Sequence, residues 1–149
     1  MSLHVTVEGF PAKANVPRRF TCDGDNISPA LRWEGEPAGT RGFAVIMDDP
    51  DAPGRTWNHW LLWDIPASVH ALAEGGEEGK SGTNDFGKPG YSGPQPPAGK
   101  GPHRYFFRVF ALDTAALALP SGAKRPALER ALQHHAIAEA SYMGLYERH

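Results

Sequence analysis

Apolar and polar residues alternate over short segments of the chain, and residues that favour turns separate these segments. Alternation with a period of two is typical of a strand with one buried face, and a short apolar, β-branched run is typical of a buried strand. The predicted strands are residues 3–7, 31–34, 42–47, 57–65, 103–112 and 136–142. Strands at such short intervals predict an all-β-dominated sandwich or barrel.

Two segments depart from the strand pattern. Residues 126–135 have helical spacing of apolar residues, and Pro126 can occupy the first turn of this helix because its missing N–H costs little there. Residues 74–102 contain nine Gly and five Pro, and a segment of 29 residues is too long for a routine connection in a compact domain. The first part, 74–85, is polar enough to be disordered, whereas the prolines in 90–97 stiffen the backbone. The loop is therefore either disordered or functional.

Two of the predicted strands begin with an aromatic residue and a histidine: Trp57 with His59, and His103 with Tyr105. Asp49 lies at the end of a third strand. If these strands share one sheet, the carboxylate, the two imidazoles and the phenol converge on one small polar spot at its rim. The walls of this spot are predicted to be Trp57, Pro96 and Pro97. Because side chains alternate along a strand, we also predict that Leu61, Trp63 and Ile65 lie on the same face as Trp57 and His59.

These residue types are suited to holding a phosphate or a carboxylate. Asp49 would repel such an anion unless it orients a histidine or accepts a proton from a monoprotonated phosphate or an ammonium group. If His59 and His103 hold the anion as imidazolium, its affinity weakens as the pH rises from about 5.5 to 8. The alternatives are structural, because a histidine beside tryptophan is often a satisfied core residue and Asp-Pro-Asp-Ala-Pro at 49–53 is also ordinary turn chemistry.

Composition narrows the remaining classes of function. A net charge of -2 with 21% charged residues gives no electrostatic footprint for nucleic acid or a membrane surface. Cys22 is the single cysteine, and no Cys/His cluster has zinc spacing, so we expect no disulfide, metal or cofactor. No apolar run approaches the ~20 residues of a membrane span, and the N-terminus does not resemble a signal peptide. We therefore expect a cytoplasmic protein, and the length of 149 residues predicts a single domain spanning 1–149.

Several motifs in fixed order identify a family that the chain resembles. They are Asp-Pro-Asp-Ala-Pro at 49–53, Trp-Asn-His-Trp at 57–60, Gly-Pro-Gln-Pro-Pro at 93–97, His-Arg-Tyr at 103–105 and the tail at 138–146. Together they resemble the signature of the phosphatidylethanolamine-binding protein family, and most closely its bacterial Raf kinase inhibitor-like branch. The resemblance implies an antiparallel β-sandwich with one short C-terminal helix, a long Gly/Pro-rich loop, and a small anion pocket for phosphate-type groups or phospholipid headgroups.

The resemblance also assigns a set of ligand-binding residues by motif. They are Asp49, Ala52, Pro53, Trp57, His59, Gly93, Gln95, Pro96, Pro97, His103 and Tyr105. Gln95 stands where a smaller residue is common in the family, which predicts a narrower pocket or an additional hydrogen-bond donor. The sequence ends soon after Tyr146, without the long C-terminal helix that lies near the pocket mouth in animal members.

Three functions remain open at this point. The first is a non-catalytic binding protein for a phosphate-containing small molecule or a phospholipid headgroup, which the resemblance extends to modulation of a kinase or protease. The second is an inhibitor of a kinase or protease that acts through residues 74–102 independently of the pocket. The third is a small esterase or phosphoesterase in which Asp49 and His59 form an acid–base pair, although no activated nucleophile is visible. Trp60, Phe106 and Phe110 are predicted to point away from the pocket face, where a second sheet or the other subunit of a homodimer would cover them.

Overall fold

The computed structural model describes residues 2–149, which form two antiparallel sheets and one α-helix. The elements are β1 (His4–Val7), β2 (Leu31–Glu34), β3 (Gly42–Asp49), β4 (Trp57–Pro66), β5 (Ala71–Leu72), β6 (Lys80–Ser81), β7 (His103–Leu112), α1 (Arg125–His135) and β8 (Ala136–Tyr146). All six predicted strands and the predicted helix are present. The last strand runs four residues further than predicted, to Tyr146. The short strands β5 and β6 have too few residues to show a pattern in the sequence.

The two sheets have the orders β1-β2-β5 and β6-β4-β3-β7-β8. Strand β3 is central in the larger sheet and every one of its residues is buried, which explains its nearly continuous apolar sequence. Antiparallel pairing with β4 and β7 places the end of β3 beside the beginnings of both neighbours. The predicted antiparallel β-sandwich is thereby confirmed.

The larger sheet buries a different core on each face. The inter-sheet core lies between the two sheets and includes Val5, Leu31, Val45, Trp60 and Tyr105. The helix-side core lies on the opposite face and includes Ile46, Trp63, Phe110, Leu128 and Leu132. Helix α1 thus covers the face that the smaller sheet leaves open, because its apolar stripe supplies Leu128 and Leu132.

The prediction about the three aromatic side chains is only partly right. Trp60 is packed in the inter-sheet core on the same side as Tyr105, so it does not point away from the pocket face. Phe110 does lie on the far face, where α1 covers it instead of a second sheet. Phe106 lies on that face too, and the guanidinium groups of Arg104 and Arg108 cover its ring at 5.6 and 4.7 Å.

Two irregularities in β4 overturn the prediction that Leu61 and Trp63 share a face with His59, whereas Ile65 does lie on the inter-sheet side. Met47 pairs with Trp60 whereas Asp48 pairs with Asn58, so His59 is an extra residue in a β-bulge. A second irregularity contains Asp64, whose φ of 56° is left-handed. Each bulge reverses the alternation of side chains, so Leu61 and Trp63 enter the helix-side core and Ile65 returns to the inter-sheet core.

Residues 74–85, which the sequence analysis considered for disorder, are packed against β4 in the structure. Lys80 and Ser81 pair with Trp63 and Leu62 as strand β6. The N–H of Gly82 donates to the Leu61 carbonyl over 2.9 Å. Among the described residues, no helix is both long and apolar enough to cross a membrane.

Candidate binding site

A cavity of about 320 Å³ opens where the end of β3 meets the beginnings of β4 and β7. Ten of the eleven predicted ligand-binding residues line it, together with one residue that was not predicted. The lining consists of Asp49, Ala52, Pro53, Trp57, His59, Phe86, Gln95, Pro96, Pro97, His103 and Tyr105. The register explains the convergence, because Asp49 pairs with Trp57 on one side and its neighbour Asp48 pairs with Phe106 on the other.

Asp49 and His103 form a buried pair at the centre of the cavity. The Asp49 Oδ2 atom lies 2.6 Å from His103 Nδ1, and the two residues are 3% and 6% exposed. The other oxygen, Oδ1, accepts the N–H of Asp51 over 2.8 Å. Because Nδ1 of His103 is occupied by Asp49, Nε2 is the ring nitrogen left for a ligand. The Asp49 carboxylate therefore orients the His103 ring. The same carboxylate also stabilises the turn at 49–53, so this turn has a structural role and also contributes to the candidate site.

His59 is held as a neutral side chain. Its Nδ1 lies 2.7 Å from the Ser92 carbonyl, and this bond selects the tautomer with a proton on Nδ1 and a lone pair on Nε2. Burial, with only 2% of the residue exposed, lowers the pKa of His59 below its ordinary value. Burial therefore disfavours the imidazolium form of His59 that the pH prediction requires, and that prediction concerns binding and stays a prediction.

The Tyr105 hydroxyl is buried without a hydrogen-bond partner among residues 2–149. Burial raises the pKa of this phenol, and the Asp49 carboxylate adds to the effect, so the hydroxyl stays a neutral donor. The Tyr105 ring meets His59 edge-on with centroids 5.4 Å apart, and it stacks on His103 at 6.4 Å. An unsatisfied buried hydroxyl costs about 1–3 kcal/mol, so we expect a molecule from outside the chain to form a hydrogen bond with the Tyr105 hydroxyl.

Aromatic and proline side chains form the walls of the cavity. The Phe86 ring packs edge-on against Trp57 at 5.5 Å and His59 at 5.4 Å. Sequence reasoning missed Phe86 because it lies between the segment considered for disorder, 74–85, and the proline-containing segment 90–97, and belongs to neither. Its position as the single aromatic residue between Glu74 and Gly90 was the only available signal.

Gly93 is the predicted ligand-binding residue that does not line the cavity. Its N–H donates to the Asn26 Oδ1 atom over 2.7 Å, away from the pocket. A Cβ atom at this position would approach the Phe20 carbonyl oxygen to 2.2 Å, so only glycine fits. The motif glycine is therefore a packing requirement, and its role as a ligand-binding residue stays a prediction.

The rim of the cavity carries one well-formed ion pair. Asp51 accepts the backbone N–H and the Nε of Arg104, both over 2.9 Å, and its second oxygen accepts Nη2. These hydrogen bonds from Arg104 lower the pKa of Asp51. In the described part of the chain, no group of three or more His, Cys, Asp or Glu side chains is arranged to hold a metal ion.

The fold and the cavity together are those of a known family. The family model described as phosphatidylethanolamine-binding protein matches residues 6–147, so the chain belongs to this family. A UPF0098 protein of Aquifex aeolicus is 45% identical over an alignment of 152 positions, and the alignment covers 98% of this chain and 89% of that protein. The UPF0098 protein YbhB of Escherichia coli is 40% identical over 133 residues, covering 83% and 84% of the two chains.

Solved structures agree with this assignment. Escherichia coli YbcL, described as a new member of the mammalian PEBP family, superposes with a TM-score of 0.93 at 34% identity and covers 100% of both chains. A putative phosphatidylethanolamine-binding protein homologue of Chlamydia trachomatis gives a TM-score of 0.91 at 32% identity over 99% of both chains. Members of this family share the two-sheet architecture described above.

Proposed function

We propose that the protein is a non-catalytic binding protein whose cavity holds a phosphate-type group, either free or in the headgroup of a phospholipid. The observation that carries this proposal is the buried Tyr105 hydroxyl, which has no partner among the described residues and lies beside two histidines. His103, oriented by Asp49, supplies a further ring nitrogen to the same space. The cavity therefore contains more hydrogen-bonding capacity than the chain itself uses.

The protonation states suit a ligand that both accepts and donates hydrogen bonds. The Tyr105 hydroxyl and a protonated His103 would donate to phosphate oxygens. The neutral His59 presents a lone pair, so it favours a ligand with a proton to donate. A monoprotonated phosphate or a phosphoethanolamine meets both demands, and this also removes the conflict between an anion and the Asp49 carboxylate.

Two candidate nucleophiles near the cavity are not activated, which supports binding without catalysis. The Ser92 hydroxyl accepts a hydrogen bond from the Asn84 side-chain amide over 3.0 Å, and its carbonyl is occupied by His59. Burial raises the pKa of the Cys22 thiol, which makes it a poorer nucleophile near neutral pH. Turnover of a phosphate ester that is abolished by His59→Ala would instead support a hydrolase.

Isothermal titration calorimetry at pH 6 with inorganic phosphate and with phosphoethanolamine tests the proposal. We expect saturable binding to the wild type and a loss of at least about tenfold in affinity for His103→Ala, since hydrogen bonds to charged groups contribute roughly 1.5–3 kcal/mol. His135→Ala is the matched control, because His135 is exposed and bonded to Asp113 on a distant surface. Unchanged binding in His103→Ala would place the anion elsewhere.

An absence of binding to the wild type would favour the inhibitor hypothesis, in which a kinase or protease contacts residues 74–102. Because free phosphate and a headgroup share one chemistry, vesicles with and without phosphatidylethanolamine distinguish these two sources. Binding to both vesicle types alike, with no response to His103→Ala, would remove lipid headgroups from the proposal.

A further inference from the structure

We propose that Phe86 sets the size of the group that can accompany the phosphate in the cavity, and that Asn84 positions both Phe86 and His59. This inference rests on the proposed function, since it assigns ligand selectivity to the same cavity. Neither residue belongs to the motifs that identify the family in the sequence. Their roles follow from how the segment between β6 and the Gly-Pro-Gln-Pro-Pro motif is held.

Phe86 is the wall that faces the two ring systems of β4. Its ring centroid lies 5.5 Å from that of Trp57 and 5.4 Å from that of His59, edge-on in both cases. Pro53, Pro96 and Pro97 also line the cavity, and their rings cannot change rotamer to make room. A ligand substituent that extends from the phosphate must therefore fit beside Phe86.

Asn84 holds the turn that carries Phe86. Its side-chain Oδ1 accepts the N–H groups of Phe86 at 2.9 Å and Lys88 at 3.2 Å, and its own N–H donates to the Lys88 carbonyl over 2.8 Å. The residue is 2% exposed, so water does not compete for these bonds. An asparagine that binds backbone groups two and four residues ahead replaces the secondary structure that this turn lacks.

The other end of the Asn84 side chain reaches the residue that binds His59. Nδ2 donates to the Gly90 carbonyl over 3.1 Å and to Ser92 Oγ over 3.0 Å. The Ser92 carbonyl in turn accepts the Nδ1 proton of His59. Asn84 thus joins the Phe86 wall to the group that fixes the tautomer of His59, which makes it a positioning residue.

Asp85 anchors the same turn to β4. Its Oδ2 accepts the backbone N–H of Asn58 at 2.6 Å and the Asn58 side-chain amide at 3.0 Å, while its own N–H donates to the Asn58 carbonyl at 2.9 Å. Arg55 adds a salt bridge to the other carboxylate oxygen. Since the backbone on both sides of Phe86 is fixed in this way, shortening its side chain should open space without moving the wall.

A series of phosphate monoesters with uncharged alkyl groups tests the size limit without adding a cation that would bind to aromatic rings. The probes are inorganic phosphate and methyl, isopropyl and neopentyl phosphate, titrated at pH 6. In the wild type we expect the affinity for neopentyl phosphate to be at least about tenfold below that for methyl phosphate, since a pocket discriminates single methylene groups by factors of 10–200. In Phe86→Ala we expect this ratio to fall to about threefold or less.

The controls separate selectivity from general damage. Phe86→Leu should give an intermediate ratio, and Phe106→Ala, at an aromatic residue on the other face of the sheet, should leave the ratio unchanged. Asn84→Ala should weaken all four probes by a similar factor. It should also broaden or shift the His59 ring ¹⁵N signals as the tautomer ceases to be fixed, and a merely structural role would leave those signals of the folded protein in place.

The outcomes distinguish this inference from the proposed function. Failure of inorganic phosphate to bind the wild type overturns the proposed function, and the inference with it. Binding of phosphate with the same ester ratio in the wild type and Phe86→Ala overturns the inference alone. Unaltered His59 signals in Asn84→Ala would leave Phe86 as the wall but remove the positioning role of Asn84.

Discussion

Two neighbouring aspartates at the end of β3 have opposite surroundings. Asp48 points to the face covered by α1 and is 2% exposed, and Asp49 points to the candidate binding site and is 3% exposed. Asp48 binds two guanidinium groups, with Arg108 at 3.1–3.2 Å and Arg125 at 3.0 Å. Asp49 binds one imidazole and one backbone N–H.

The difference lies in how completely the polar groups around each carboxylate are satisfied. On the Asp48 side, Arg125 also donates to Asn58 Oδ1 over 2.7 Å and binds Glu129 at 3.2 Å, so charges and hydrogen bonds are matched within the chain. On the Asp49 side, Tyr105 lacks a partner among the described residues and His59 presents a lone pair. A network in which every polar group has a partner stabilises the fold, whereas a network with unpaired groups can form hydrogen bonds with a ligand.

The largest expected effect is on stability, and it distinguishes the two carboxylates. Asp48→Asn should lower the free energy of unfolding by about 3 kcal/mol, because it removes the buried carboxylate that two partly buried guanidinium groups share. Asp49→Asn should lower it by only about 1 kcal/mol, since the amide oxygen can still accept one of the two bonds that the carboxylate oxygens accept. Urea unfolding followed by tryptophan fluorescence measures both values, with phosphate titration as the second readout.

Phosphate binding should show the reverse order. We expect Asp49→Asn to weaken phosphate binding at pH 6, because the carboxylate orients the His103 ring, and Asp48→Asn to leave binding nearly unchanged in the folded protein. If Asp48→Asn and Asp49→Asn lost equal amounts of stability, the difference in hydrogen bonding around the two carboxylates would have no effect on the free energy of unfolding.

Tyr105→Phe removes a single oxygen atom, the unpaired hydroxyl, from the binding site on the Asp49 side of the sheet. The free energy of unfolding should change by less than about 0.5 kcal/mol, because the hydroxyl has no partner to lose, while phosphate affinity should fall by about tenfold or more. Tyr91→Phe is the matched control. Its hydroxyl donates to the Phe20 carbonyl over 2.7 Å, so it should lose about 1 kcal/mol of stability without any change in phosphate affinity. Identical behaviour of the two variants would contradict the distinction between used and unused hydroxyls.

Much of the site could be predicted because it is local in the sequence. Asp49, Trp57, His59, His103 and Tyr105 lie at strand ends, and antiparallel pairing brings such ends together once the strands are recognised. The strand positions themselves follow from apolar runs long enough to show a pattern. The family resemblance then places the prolines and Gln95 in the wall.

The errors arise where tertiary contacts override a local pattern. The bulge at His59 adds one residue to β4, which no period-two pattern can reveal, and it inverts the faces of the following residues. Phe86 is placed by the buried side chain of Asn84, in a segment whose composition favours disorder. The cover over Phe110 is a helix and not a sheet, a choice that depends on the path of the chain after β7.

The smallest expected effect concerns the charge of His59. Its pKa is lowered in the folded protein, chiefly because burial disfavours the charged form, whereas in the unfolded chain it is about 6.5. The unfolded state therefore binds the proton first as the pH falls, so the wild type loses stability below about pH 6.5, by at most ~1.4 kcal/mol per pH unit from this group. His59→Gln removes this proton uptake, so the difference in unfolding free energy between wild type and variant should shrink by about 1 kcal/mol from pH 7 to pH 5.5.

Urea unfolding at both pH values measures this difference, with His134→Gln as the control at an exposed histidine. A difference that stays constant with pH would mean that His59 is solvated well enough to be charged in the folded state. The cavity would then present a cationic His59, and it would favour a fully deprotonated anion over a ligand with a proton to donate. A shrinking difference leaves His59 as a neutral acceptor, which favours a ligand that donates a proton to its Nε2 atom.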